Sequence, residues 1–140
     1  MTPRFELFDH TADLGVRVRA PSMPQLVAPA TAGFYAAIGE VHAADGPGTA
    51  WHCESAADEP ALLLRDYLAE LLALLDCEQR CIAAPRVHEF AAGRLVVAAT
   101  AHPIDPARSL LLREVKAVTY HEFALRPVPG GFELTFIVDI

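Results

Sequence analysis

Asp13-Leu14-Gly15-Val16-Arg17-Val18-Arg19-Ala20 decides the fold class. Leu14, Val16, Val18 and Ala20 alternate with Gly15, Arg17 and Arg19. A period of two marks an extended strand with one apolar face and one cationic face. Toward the N-terminus, residues 5–8 are short and apolar-rich, a second strand. Between the two, residues 9–13 are small and polar and suit a connection or a bulge.

Toward the C-terminus the pattern changes period. Ser22-x-x-Gln25 has the form of a capping box, opening a helix that runs to about Ile38 and stops at Gly39. Pro29 lies inside that span. An interior proline costs about 3 kcal/mol, so a kink is expected there, or a helix that begins only after Pro29. Residues 41–49 contain Gly46, Pro47 and Gly48 and read as a loop. Residues 50–55 follow as a strand, with Trp51 and Cys53 alternating with His52 and Glu54. Asp58-Glu59-Pro60 starts the second helix, with acidic groups near the positive end of its dipole and proline in its first turn. Leu64, Tyr67, Leu68, Leu71, Leu72 and Leu75 then recur at helical spacing, and Leu63 and Leu74 widen the apolar face. Residues 80–83 and 86–90 are weaker strands, Gly93 marks a turn, and residues 95–101 form a central strand. Pro103, Asp105 and Pro106 mark a loop. Residues 115–121 and 123–126 are extended, Pro129-Gly130-Gly131 is a hairpin turn, and residues 132–138 close the chain as a strand. Strands and two helices in irregular alternation describe an α+β domain. The expected architecture is one largely antiparallel or mixed β-sheet with two helices packed on one face, over residues 1–140.

Composition narrows the function classes. The 140 residues suit one compact domain. A hydrophobic fraction of 53% excludes general disorder, although much of it is alanine. The net charge of −7 argues against autonomous nucleic-acid binding, which depends on neutralising phosphates with Lys and Arg. No segment approaches the ~20 apolar residues of a membrane span, and residues 1–6 lack the apolar stretch of a signal peptide. Three cysteines in no disulfide pattern point to a cytoplasmic address. Cys77 and Cys81 form a C-x3-C pair, but without a C-x2-C knuckle or a matching second pair they read as free cysteines rather than a zinc site.

The chain has no Gly-rich phosphate loop, no G-x-S-x-G elbow and no H-E-x-x-H. The chemistry-bearing residues gather instead at three places: Asp9, His10 and Asp13, the run Glu114 to His121, and the ending Phe136-Ile137-Val138-Asp139-Ile140. A strand that stops at residue 140 places the Asp139 side chain, a backbone carbonyl and a terminal carboxylate close together. Such oxygens are hard ligands of the kind Ca, Mg or Mn prefers. If Asp13 lies on the neighbouring strand, the two ends of the chain close one anionic site. The alternative is that Asp139 merely terminates a strand in solvent. His10 is either a metal ligand or a histidine bonded to backbone, and Asp9 is most simply a turn residue. On a strand, Lys116, Val118 and Tyr120 share one face, with Thr119 and His121 on the other. That basic and aromatic face suits phosphate or a partner protein, or else an edge strand protected by its lysine.

Four stretches carry a family resemblance. Phe8-Asp9-His10-Thr11-Ala12-Asp13-Leu14-Gly15 resembles the hallmark of the archease family, and Glu114-Val115-Lys116-Ala117-Val118-Thr119-Tyr120-His121 resembles its second signature. Ile137-Val138-Asp139-Ile140 is similar to the family's C-terminus, and Leu62 to Leu72 to its second helix. The resemblance implies a small cofactor protein, not itself an enzyme, for the GTP-dependent RNA ligase of tRNA splicing and RNA repair. Such a protein promotes guanylylation of a ligase histidine and so allows multiple turnover. The resemblance also implies a divalent metal site made by the side chains of Asp13 and Asp139 and the terminal carbonyl group of Ile140. Calcium is the ion usually associated with that site, with Mg or Mn as alternatives. Asp9, His10, Lys116, Tyr120 and His121 would shape the site or touch the ligase. Two other functions fit the same residues: a small metal-dependent phosphoester hydrolase, and a general chaperone or modulator of RNA-modifying enzymes. No large exposed apolar patch is apparent to recommend the chaperone.

Overall fold

The alternation over residues 13–20 and the apolar segment before it fold as neighbouring strands. In the computed structural model, which describes residues 1–10 and 12–140, β1 (Arg4–His10) and β2 (Asp13–Ala20) pair antiparallel. Their register is unbroken from Arg4 opposite Arg19 to His10 opposite Asp13. Asp9 and His10 therefore belong to a strand and Asp13 opens the next. The connection expected over residues 9–13 is shortened to what lies between His10 and Asp13, where Ala12 takes a left-handed backbone (φ 62°). Thr11, part of the N-terminal motif, lies outside the described residues.

Leu14, Val16, Val18 and Ala20 face the core, as their spacing requires. On the other face Gly15 lies beneath its register partner Phe8, whose ring an added Cβ would strike. The Arg17 guanidinium sits 4.6 Å from the centroid of the same ring.

A 3-10 turn (Pro24–Leu26) leads into α1 (Val27–Ile38). The capping box expected at Ser22 does not form. Ser22 Oγ donates to Gln25 Oε1 at 2.8 Å, so the two side chains satisfy each other instead of capping backbone N–H groups. Pro29 falls in the first turn of α1, where an N–H finds no partner within the helix, and α1 runs through it unbroken. Neither a kink nor a start after Pro29 is needed.

The remaining elements are β3 (Gly39–Glu40), β4 (Thr49–Ala56), α2 (Pro60–Glu78), β5 (Arg80–Ala91), β6 (Arg94–Pro103), β7 (Leu110–Leu111), β8 (Ala117–Val118), β9 (Ala124–Val128) and β10 (Gly131–Asp139). The two weak strands expected over residues 80–90 are one strand, β5. Its register shifts between Ala83 and Arg86 and again between Val87 and Glu89, and these irregularities hide the alternation. Gly39 ends α1 as expected. Its φ of 148° and the Leu110 carbonyl packed against it leave no room for a side chain.

The fold is α+β, and among the described residues the pairing is antiparallel throughout, but the strands divide among three sheets rather than one. β1, β2, β10 and β8 lie in that order, with β9 also on β10. β4, β6 and β5 form a second sheet, and β3 pairs with β7. α1 packs on β1 and β2 and reaches β5, while α2 packs on β4, β5 and β6 and reaches β8. The two helices thus bridge the sheets, and one core joins Val16, Phe34, Leu68, Leu95 and Phe136 across them. Among the described residues no helix is long and apolar enough to cross a membrane.

Candidate metal centre

The C-terminal strand β10 is paired on both sides. Against β2 it runs from Phe132 opposite Ala20 to Val138 opposite Leu14. One further step of that register would bring Asp139 level with Asp13. On its other edge β10 pairs first with β9 and then, at Val138 and Asp139, with β8. Lys116 N–H donates to the Asp139 carbonyl at 2.7 Å, and Thr119 N–H donates to the Ile137 carbonyl at 3.0 Å. The N-terminal motif, the segment 116–119 and the chain's last residues therefore meet at one end of the sheet.

The carboxylates there are largely uncommitted. Among the described residues Asp139 makes no ion pair, and Asp13 faces only His10 Nδ1 at 3.8 Å, beyond hydrogen-bonding distance. Two unpaired carboxylates and the carbonyl group of Ile140, brought together there, would make a hard oxygen donor set of the kind that fits Ca, Mg or Mn.

His10 stands beside this set. Its side chain is 25% exposed and its Nε2 lies 3.0 Å from Glu122 Oε2. Its Nδ1 is buried without a hydrogen-bond partner among the described residues. The His121 ring meets the His10 ring edge to face, centroids 5.9 Å apart. Glu122 went unnoticed in the sequence. Its one signal is its place directly after His121, and it holds a left-handed backbone (φ 53°) that ends the 116–121 segment in a turn. Asp9 alternates with His10 along β1, so it points away from this cluster and is exposed.

The strand face expected from Lys116, Val118 and Tyr120 does not exist as such. β8 is only two residues long: Val118 is buried, while Lys116 and Tyr120 face solvent. Tyr120 is held by Arg65 of α2, whose guanidinium lies 4.1 Å from the ring centroid and whose Nη2 donates to the Val118 carbonyl at 3.2 Å.

The three cysteines are free, with Cys53 and Cys81 buried and Cys77 exposed. Burial, reinforced by Glu70, Asp66 and Glu54, pushes the Cys53 thiol up to about 11, so it is neither a thiolate nucleophile nor a ready ligand. A different surface feature was not anticipated. Leu110, Leu111 and Leu112 are 54%, 57% and 61% exposed. Leu111 and Leu112 border an apolar cleft of about 710 Å³ lined also by Ile38, Leu75 and Val115.

Comparison with known proteins bears on the whole chain. The archease protein family model matches residues 5–140. The chain is 29% identical to Protein archease of Thermococcus gammatolerans over 98% of its own length and 99% of that protein. It is 27% identical to Protein archease of Methanopyrus kandleri, covering 97% and 99%. The solution structure of Methanobacterium thermoautotrophicum protein 1598 superposes with a TM-score of 0.68 at 26% identity, over 97% of this chain and 98% of that one. The crystal structure of an archease from Thermotoga maritima, described as a possible chaperone, shares the fold with a TM-score of 0.66 at 16% identity, over 96% of each chain. The chain belongs to the archease family.

Proposed function

We propose that the chain is a protein cofactor of a GTP-dependent RNA ligase, promoting guanylylation of the ligase and hence multiple turnover in tRNA splicing or RNA repair. The observation that carries this reading is the β2–β10 register, which runs to Val138 opposite Leu14, one step short of Asp139 and Asp13, in a chain of the archease family. Asp13, Asp139 and Ile140 would hold a divalent cation, Ca, Mg or Mn, which when bound supplies charge neutralisation at phosphate oxygens. The chain's own residues hold and orient: the Lys116 N–H fixes the Asp139 backbone, and exposed Lys116, Tyr120 and His121 offer contacts to the ligase. The acidic balance supports action through a protein partner in the cytoplasm rather than on RNA directly.

The test is multiple-turnover ligation by the cognate ligase with GTP and Mn, with this protein substoichiometric. Turnover should rise, and Asp139→Ala should remove most of the rise while leaving the circular dichroism spectrum unchanged. Full stimulation by Asp139→Ala would overturn the metal role. A chaperone reading has one observation in its favour, the exposed leucines beside the apolar cleft. Stimulation that survives Asp139→Ala but is lost in Leu111→Ser would select it.

A further inference from the structure

We infer that His10, His121 and Glu122 form a second cation site, chemically distinct from the oxygen set of Asp13, Asp139 and Ile140, and that it takes a transition metal of the zinc or cobalt kind. One donor atom from each of the three residues lies within 4.8 Å of the others. His10 Nε2 and His121 Nε2 approach the two oxygens of the same carboxylate, at 3.0 and 3.7 Å. Two imidazole nitrogens and one carboxylate are a borderline donor set. It suits Zn, Co, Ni or Fe(II) and is poorly matched to Ca or Mg, which prefer oxygen alone. Three protein ligands also leave coordination positions open for water or for a group on a partner.

The orphaned nitrogen of His10 supports the assignment independently. With Nε2 directed at Glu122, Nδ1 is left buried, unbonded among the described residues, and facing Asp13 at 3.8 Å. A metal-ligating histidine commonly directs its second nitrogen at a carboxylate, which fixes the ring and raises its basicity. Asp13 stands where that partner belongs, so it borders both sites. The other two ligands are consecutive residues on a turn whose shape is set locally. Phe123 N–H donates to the Tyr120 carbonyl at 3.3 Å, Thr119 Oγ1 donates to the His121 carbonyl at 3.4 Å, and Glu122 adopts φ 53°. That conformation turns adjacent side chains toward the same histidine, which an extended strand would not do.

The competing account is an ordinary His10–Glu122 ion pair in which His121 has no part. Titration of the tag-free protein with Co(II) distinguishes the two. The wild type should develop the visible absorption of a low-symmetry nitrogen–oxygen site. His121→Ala and Glu122→Gln, both changes on an exposed turn, should weaken binding at least about tenfold. Asp139→Asn should leave the bands in place. No bands in the wild type, equal bands in His121→Ala, or loss of the bands in Asp139→Asn would each overturn the proposal. The inference stands apart from the ligase reading: cobalt binding with no ligase stimulation leaves it intact, and stimulation with no cobalt binding refutes it alone.

Discussion

Glu133 is 3% exposed, and it sits between two arginines on neighbouring strands, opposite Arg19 of β2 and Arg126 of β9. Arg19 Nε donates to Oε2 at 2.7 Å, and Arg126 donates to Oε1 from Nη2 at 2.8 Å and Nε at 3.1 Å. Burial raises the carboxyl's pKa, but the hydrogen bonds from Arg126 and Arg19 and their charges outweigh it, leaving it below its ordinary 4.5. A carboxyl lowered by folding stabilises the native state above its unfolded value, and the contribution is lost as pH falls through the folded value. Glu133→Gln should therefore cost about 1.5–3 kcal/mol at neutral pH, and the gap to wild type should narrow as pH drops below 4.5. Arg19→Ala with Arg126→Ala strands a buried carboxylate and should cost about 3 kcal/mol, the low end for a broken buried pair because both arginines are partly in water. Urea unfolding across pH measures both, and a pH-independent gap would contradict the assignment. The cationic face that alternation predicts for β2 is thereby spent on internal partners: Arg19 on Glu133, and Arg17 on Glu6 at 2.6 Å and on Phe8. Little of it is left to attract phosphate.

Between elements, one buried polar contact joins the helices. Thr31 Oγ1 of α1 donates to the Val27 carbonyl at 2.7 Å and lies 2.6 Å from Tyr67 OH of α2. The threonine proton is committed to its own helix, so the tyrosine must donate to Thr31 Oγ1. The direction makes the two truncations unequal. Tyr67→Phe removes a donor from an oxygen already bonded and should cost about 0.5–1.5 kcal/mol. Thr31→Val strands a fully buried tyrosine hydroxyl and should cost about 1–3 kcal/mol. Equal costs in thermal melts, or the reverse order, would refute the donor assignment. The sequence shows the face of α2 that makes this contact, because a leucine stripe at helical spacing declares itself. It also shows β2, β6 and the hairpin at Gly130. It does not show what lies across the contact. Arg65 and Val118 are 53 residues apart, and no local pattern pairs them. Asp13 and Asp139 stand out as chemistry without a partner, whereas Glu122 looks like any surface glutamate until a left-handed turn sets it against His10. Pro29 misleads for a related reason. Its cost depends on its place in the helix, and that is decided by where the 3-10 turn at residues 24–26 hands over to α1.

For the whole molecule, the order of the strands sets the folding problem. β2, near the beginning, cannot complete its sheet until β10, at the end, pairs with it, and β10 also carries β8 and β9. Leu134, Phe136, Ile137 and Val138 are all fully buried, so the last strand is part of the core and not an edge added to it. Closing such a long loop costs entropy before any contact compensates for it, and sheets built on distant pairings fold on a scale of ms to s rather than μs. The helices and the β4–β6–β5 sheet are more local, but they share one core with Leu134, Phe136 and Val138 of β10, so their native packing waits for that strand. Trp51, the only tryptophan, reports on that part, since its ring lies 6.3 Å from Tyr67. Refolding from urea should therefore reach native tryptophan fluorescence with a main phase of about 10 ms or slower. Thr135→Pro, at a site where β10 pairs with both β2 and β9, should slow or abolish that phase. A sub-millisecond main phase in the wild type would mean that native packing around Trp51 does not wait for the ends of the chain to meet. The pairing of β10 with β2 would then be a late addition to an already folded body, and Asp139 variants could be studied without concern for folding.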